Sequence, residues 1–278
     1  MSLILTEELA RRIEQSEIEL LESRLTGVQK IEGNPMGGEI KKFGDAVAFY
    51  VKNIPGPSFN NVKGISGNQL DEIDAILDFY HEREISANFE ITPAHCSAEL
   101  FQLLSERGYF QCGFRTALYG PVTDDILLNT EEDSSISIHE FEDDEFAIFG
   151  RIYTKGFNMP SSLIDFVAQN NQVLHHNEHW TFYLARVKGE PAGIGVLFEQ
   201  NGIATLAASA TTPEYRNKGV HSALVKKRLQ QAQQNHCHMI VGQTGYGSGS
   251  LRNMERAGMK VAYTKAIWTI LIPKKGCF

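Results

Sequence analysis

Apolar residues recur with two different periods along the chain, and the period changes at recognisable turn residues. In the C-terminal half, Ile203 to Ala210 is a small, apolar run unbroken by Gly or Pro, which predicts a buried strand. From Gly219 to about Asn235 the apolar positions Val220, Ala223, Leu224, Val225, Leu229 and Ala232 follow a helical period. Lys226, Lys227, Arg228 and several Gln fill the remaining positions. Ser135 to His139 alternates like a strand. Asp143 to about Phe157 predicts a helix whose acidic first turn complements the helix dipole, and Ser161 to Val173 a second helix or helical loop. Trp180 to Val187 and Pro191 to Glu199 predict a hairpin through Lys188-Gly189-Glu190, and Gln200-Asn201-Gly202 turns into the Ile203 strand. A strand at Cys237 to Val241, a short helix opening near Ser248 or Ser250 and closing at Gly258, and a last strand near Ala266 to Ile270 follow. The predicted order is β-α-α-β-β-β-α-β-α-β.

The N-terminal half repeats a piece of this order. Glu39 to Phe43 and Ala46 to Lys52 predict a hairpin through Gly44-Asp45, and Leu70, Ile73, Ile76, Leu77 and Tyr80 mark a helix from Gln69 to Arg83. A strand at Ser86 to Ile91, a helix at Ser97 to Arg107 and a strand at Thr116 to Tyr119 come next. Leu103 to Tyr109 mirrors Met254 to Met259 in role, which points to an internal duplication. Met1 to Thr26 reads as an amphipathic helix, followed by a loop at Gly33 to Gly38. The boundary falls in the acidic connection between Gly120 and Ser135, giving domains 1–125 and 135–278 in a mixed α/β fold.

Composition narrows the function classes. Apolar residues make up 42% and charged residues 22%, so the chain is globular rather than disordered. No apolar run reaches the roughly 18 residues of a membrane span, and the N-terminus lacks the basic and apolar regions of a signal peptide. The four cysteines have no C-x-x-C spacing, which argues for a reducing compartment, hence a cytoplasmic location, and against a zinc knuckle. A net charge of −8 disfavours nucleic-acid binding and does not exclude a cationic or amine substrate, which a negative cleft would attract. No membrane or nucleic-acid partner and no metal is expected; the oligomeric state is open between monomer and homodimer.

The densest chemistry lies between the Ile203 strand and the helix that follows it. Pro213-Glu214-Tyr215-Arg216-Asn217-Lys218-Gly219-Val220-His221-Ser222 makes a basic, Gly-containing turn at a helix start. Such a turn aims unpaired backbone N–H groups at an anion, and Arg216 and Lys218 add full charge. The spacing fits neither the Walker loop nor the dinucleotide fingerprint. It resembles the acyl-CoA loop of the GCN5-related N-acetyltransferases, the GNAT superfamily, whose pattern is Gln/Arg-x-x-Gly-x-Gly/Ala. Arg216 and Gly219 match; His221 departs from the usual small residue. Gly242 to Met259 resembles the last segment of that superfamily, with Met259 in place of its aromatic and Ser248 and Ser250 where Asn and Ala are common. The resemblance covers about Ile136 to Ile272.

It implies two GNAT-like halves in one chain, the first degenerate: Asn60 to Gly67, at the place of the acyl-CoA turn, carries one Lys and no Arg. That half is then structural or shapes the substrate cleft. It implies acetyl-CoA as co-substrate, its pyrophosphate on Asn217, Lys218, Gly219, Val220, His221 and Ser222 with Arg216, and Ser248 and Asn253 also facing it. Its pantetheine arm would lie beside Ser209, Ala210 and Thr211, with an N–H near Ser209 or Ala210 polarising the thioester carbonyl. The usual acid is a Tyr at the position of Met254, which has no proton to give, so Tyr246 or Ser250 would have to take its place. His175, His176 and His179 read as a solvated loop more readily than as a metal site or a base acting through water, and His236 and His238 as a strand entering the sheet. A docked carboxylate at Phe278 is a further candidate base. The implied activity is N-acetyl transfer to a small-molecule or peptide amine by direct attack on the thioester. The alternatives are a non-catalytic acyl-CoA sensor, suggested by Met254, and an aminoacyl transferase using charged tRNA, which the acidic balance does not favour.

Overall fold

The computed structural model describes residues 3–54, 56–123 and 134–270. Elements run α1 (Glu7–Gln29), β1 (Gly38–Phe43), β2 (Ala46–Val51), β3 (Asn61–Lys63), α2 (Glu72–His81), β4 (Phe89–Ile91), α3 (Ala98–Glu106) and β5 (Tyr109–Pro121). Next come β6 (Ile136–Glu140), α4 (Phe146–Gly156), α5 (Ile164–His175), β7 (Trp180–Val187), β8 (Glu190–Gln200), β9 (Ile203–Thr211), α6 (Val220–Gln234), β10 (Met239–Thr244), α7 (Gly249–Arg256) and β11 (Lys260–Ile270). From β6 onward this is the order expected from sequence. Short 3-10 turns precede α4, α5 and α6 at Asp143–Glu145, Ser161–Leu163 and Pro213–Tyr215.

The chain forms two compact units, Leu5–Thr116 with the segment from Tyr263 onward, and Ala117–Ala262 with the first few residues. The acidic residues expected to connect them, Asp124, Asp125, Glu131, Glu132 and Asp133, lie outside the described residues, as do Cys277 and Phe278.

In the N-terminal unit the strand order is β1-β2-β3-β4-β11. β1 and β2 pair antiparallel from Gly38↔Val51 to Phe43↔Ala46. β3 and β4 meet in parallel at Val62↔Phe89, and Ala266 of β11 pairs with Ile91. Thr6 caps α1 by accepting from the Leu9 N–H at 3.1 Å, and the helix buries Ile13, Ile18, Leu21 and Leu25. Asn61 to Lys63 differs from expectation: the segment read as an open turn is a strand, and Lys63 is buried. Its charge hid the strand signal, and that charge is met inside the unit. Lys63 pairs with Glu90 and Lys265 with Glu17, and Lys265 Nζ also reaches Glu90 Oε2 at 2.7 Å. Burial raises the Glu17 carboxyl and lowers the Lys63 ammonium from their ordinary ranges. Burial also pushes Glu90 upward, but Lys265, Lys63 and Arg115 outweigh it and hold that carboxyl well below the carboxylate range.

In the C-terminal unit the order is β10-β9-β8-β7-β6, with β10 parallel to β9 and the rest antiparallel. Leu224, Val225 and Leu229 of α6 enter a core with Tyr183, Leu197, Ala204, Ile240 and Met254. His236 lies in the turn before β10 with a left-handed φ of 57°, and the strand starts two residues later than the pattern suggested.

Candidate functional site

Two parallel strands part company in the middle of the C-terminal unit. β9 and β10 stay in register from Ile203↔Met239 to Leu206↔Gly242. Past that point β9 continues alone beside β8 as far as Thr211↔Gly193. A register shift between Val196 and Leu197 leaves Ala207 without an opposite residue, a bulge that bends β9. The Thr212 N–H donates to the Ala192 carbonyl at 3.0 Å, which fixes the alternation of the ladder. Ser209 and Thr211 therefore turn their backbone groups away from β8, toward the gap that β10 vacates. Thr211 Oγ1 is buried and has no hydrogen-bond partner.

The turn into α6 lies just beyond. Asn217 and Gly219 both hold left-handed backbone, with φ of 60° and 77°. Gly219 takes that conformation without steric cost, and as the N-cap it supplies no side-chain oxygen. The opening N–H groups of α6 are thus left for an anion. Arg216 Nη2 donates to the Gly156 carbonyl at 2.8 Å, and Lys155 pairs with Glu214 at 2.6 Å, so the turn is tied to the end of α4. Lys218 Nζ lies 5.2 Å from the Tyr215 ring centre. Beside the turn is a cavity of about 540 Å³ bounded by Ser135, Val187, Lys188, Glu190, Tyr215 and Lys218.

His221, in the first turn of α6, reaches α7. Its Nε2 stands 3.3 Å from Ser250 Oγ and its Nδ1 3.1 Å from Asn253 Nδ2. Arg256 Nη1 donates to Asn253 Oδ1 at 3.1 Å, which orients the amide so that its NH₂ donates to His221 Nδ1. The imidazole proton then resides on Nε2 and donates to Ser250. Burial, with a smaller contribution from the Arg228 charge, lowers the imidazole to about 4, so the ring is neutral near pH 7. Ser248 caps α7 by accepting from the Leu251 N–H at 3.1 Å and meets Thr244 Oγ1 at 2.9 Å.

The site residues read from sequence separate here into groups. Arg216 to Ser222 form the turn, Ser209 to Thr211 the exposed stretch of β9, and Ser250 and Asn253 the network around His221. Tyr246 is 78% exposed, whereas Met254 is 4% exposed and belongs to the core. His175 and His176 both contact Asp143, at 2.8 and 3.4 Å, whereas His179 Nδ1 bonds the Glu199 carbonyl. The sequence reading missed Arg228, which is 1% exposed and passes under β9. Its spacing carried the signal: Val220, Leu224 and Arg228 succeed one another every fourth residue on the buried stripe.

The turn, the spread strands and the helix after β10 lie together on an α/β scaffold. The family model for the GNAT acetyltransferases matches residues 139–261. Solved structures share the fold over most of the chain. A GCN5-related N-acetyltransferase from Kribbella flavida superimposes with a TM-score of 0.69 at 13% identity, over 96% of this chain and 97% of its own. A tandem GNAT protein from the clavulanic acid biosynthesis pathway gives 0.65 at 8% identity, over 97% of each chain. A GCN5-related N-acetyltransferase from Sphaerobacter thermophilus gives 0.57 at 14% identity, over 81% of this chain and 80% of its own. The search of curated proteins returned no match. Residues 139–261 thus match a GNAT acetyltransferase domain, and the chain as a whole shares the fold of a tandem GNAT protein. Among the described residues no helix is long and apolar enough to cross a membrane.

Proposed function

We propose that the protein transfers the acetyl group of acetyl-CoA to an amine on a small molecule or peptide, in the cytoplasm. The observation that carries this reading is the departure of β10 from β9 after Leu206↔Gly242, directly before the left-handed turn at Gly219. That arrangement leaves a row of unpaired strand groups leading to a helix start, which suits an extended arm ending in a diphosphate. Acetyl-CoA would supply the activated acyl group. The chain's own residues would do the rest. Arg216, Lys218 and the N–H groups of Asn217 to Ser222 would hold the phosphates, and the cavity beside Lys188 and Lys218 is open to the remaining charged part.

Ser209, whose N–H faces the gap, would polarise the carbonyl. Ser250 is the better candidate for a proton donor than Tyr246, because it is held by His221 while Tyr246 stands in solvent. A thiol with a reference pKa of about 8.5 leaves with little help near neutral pH, so the loss of the usual Tyr slows the step rather than forbidding it.

A panel of amines incubated with acetyl-CoA and the purified protein tests the reading, with release of free thiol as the signal. Turnover with any amine class supports transfer. Tight binding without turnover supports the second reading, a non-catalytic acyl-CoA sensor, which the burial of Met254 at the usual acid position favours. Calorimetry of Arg216→Ala addresses the turn itself: loss of a charge-assisted bond to phosphate should weaken acetyl-CoA about 10-fold or more. Unchanged affinity would remove the phosphates from that turn.

A further inference from the structure

Arg228 is a fully buried guanidinium that no carboxylate neutralises among the described residues. Its partners are carbonyls and a hydroxyl. Nε donates to the Leu224 carbonyl at 2.9 Å, and Nη1 to the carbonyls of Val196 and Ala208 at 3.3 and 3.2 Å. Nη2 lies 3.4 Å from Ser209 Oγ, whose own hydroxyl donates to the Ile194 carbonyl at 3.2 Å. Gly195 makes room for it, since a Cβ there would stand 3.1 Å from Nε. Burial lowers Arg228 to about 10, which leaves it charged at neutral pH. An isolated buried charge is costly unless something gains from it.

The position of this charge is specific. The Ala208 carbonyl and the Ser209 N–H belong to one peptide group, and in a trans peptide they point in opposite directions. The carbonyl turns toward β8 and meets Arg228. The N–H turns into the gap left by β10. A cation on the carbonyl end draws electron density through the amide and makes the N–H at the other end a stronger donor. It does so from behind, without entering the cleft, and with no reorganisation when charge develops in front.

We infer that Arg228 is a positioning residue that polarises the Ala208–Ser209 peptide, so that the Ser209 N–H forms the strengthened half of a pocket for a thioester carbonyl oxygen. The inference rests on the reading of this cleft as an acyl-CoA site. The ligand class it selects is an acyl thioester rather than the bare thiol: the polarised N–H has nothing to bind in CoA itself. Arg228 therefore discriminates between the loaded and the spent carrier.

The test is the carbonyl stretch of acetyl-CoA labelled with ¹³C at the thioester carbon, read by infrared difference spectroscopy on the full chain. The band of the bound ligand should fall below its position in water with the native protein. With Arg228→Met the downshift should shrink to about half or less, while affinity for CoA lacking the acyl group stays within about twofold, since the phosphate contacts are untouched. Arg228→Lys, which keeps the charge, should restore part of the downshift. A residue that only props up the bulge would change thermal stability in Arg228→Met and leave the band where it is in the native complex. That result overturns the inference and leaves the cleft reading intact. A native protein that binds no acetyl-CoA overturns both; one that binds it with no displaced band overturns the inference alone. Should Arg228→Met fail to fold, Gly195→Ala serves instead: its methyl displaces the guanidinium from the Ala208 carbonyl. A full native downshift in that variant refutes the idea equally.

Discussion

The sulfur of Met254 lies against Gly242, 3.0 Å from where a Cβ on that glycine would stand. A thioether fills this position because the strand beneath it offers no side chain, and the pair closes the core under α7. Met254 is therefore a packing residue at the position where the family resemblance implied a tyrosine acid.

Returning the tyrosine does not return the acid. Met254→Tyr inserts a larger, polar-tipped ring into a packed site, and overpacking of this kind costs about 1–3 kcal/mol. The expected outcome is a lower thermal midpoint with no gain in thiol release. A variant that keeps its midpoint and accelerates turnover would show that the ring finds the cleft, contrary to the burial of this position.

Acid should weaken the C-terminal unit through His221. The folded ring titrates at about 4, below the unfolded reference of 6.5, so the unfolded chain binds more protons between these values. Stability from this group is present above pH 6.5 and declines as pH falls toward 4, by on the order of 2–3 kcal/mol. His221→Asn removes the titration and should flatten the difference curve in urea unfolding measured from pH 7 to pH 4. Parallel curves for the two proteins would mean that the ring is already solvated.

The charges within the N-terminal unit should be far more sensitive than those on its surface. Lys265→Met strips Glu17 of its nearest partner and removes one of those of Glu90, and breaking a buried pair from one side costs about 3–5 kcal/mol. Arg11→Met, at an exposed pair with Glu7, should cost about 0–1 kcal/mol. Guanidinium denaturation of the two variants, compared by midpoint, reads the contrast directly. Similar losses would show that the burial of Lys265 is not what sets its importance.

The fold was legible in the sequence wherever one physical rule acted alone. The Trp180 to Glu199 hairpin announced itself by strand composition on both sides of Lys188-Gly189, and α7 by a serine cap and a glycine stop. Two-sided burial of small residues marked β9. The elements that escaped are those where charge and burial coincide. Asn60 to Gly67 was read as a loop at the place of the acyl-CoA turn, whereas Asn61 to Lys63 is a strand whose lysine is met by the carboxylates of Glu17 and Glu90, distant in sequence. Arg228 was placed among the polar positions of its helix, although its spacing put it on the buried stripe. The turn from Pro213 to Ser222 was visible because its residues are consecutive. The His221, Ser250 and Asn253 network was not, since it joins the starts of two helices about thirty positions apart.

The strand from Tyr263 to Ile270 belongs with residues that left the ribosome long before it. Ala266 zips onto Ile91, Trp268 stacks flat on Phe101 at 5.2 Å, and Lys265 meets two waiting acids. Until those eight residues emerge, the first-made half has an unzipped edge at β4 and a pair of carboxylates short of a counter-ion. Its maturation must lag behind its synthesis by the time needed to translate the whole intervening domain, so the half made first is completed last.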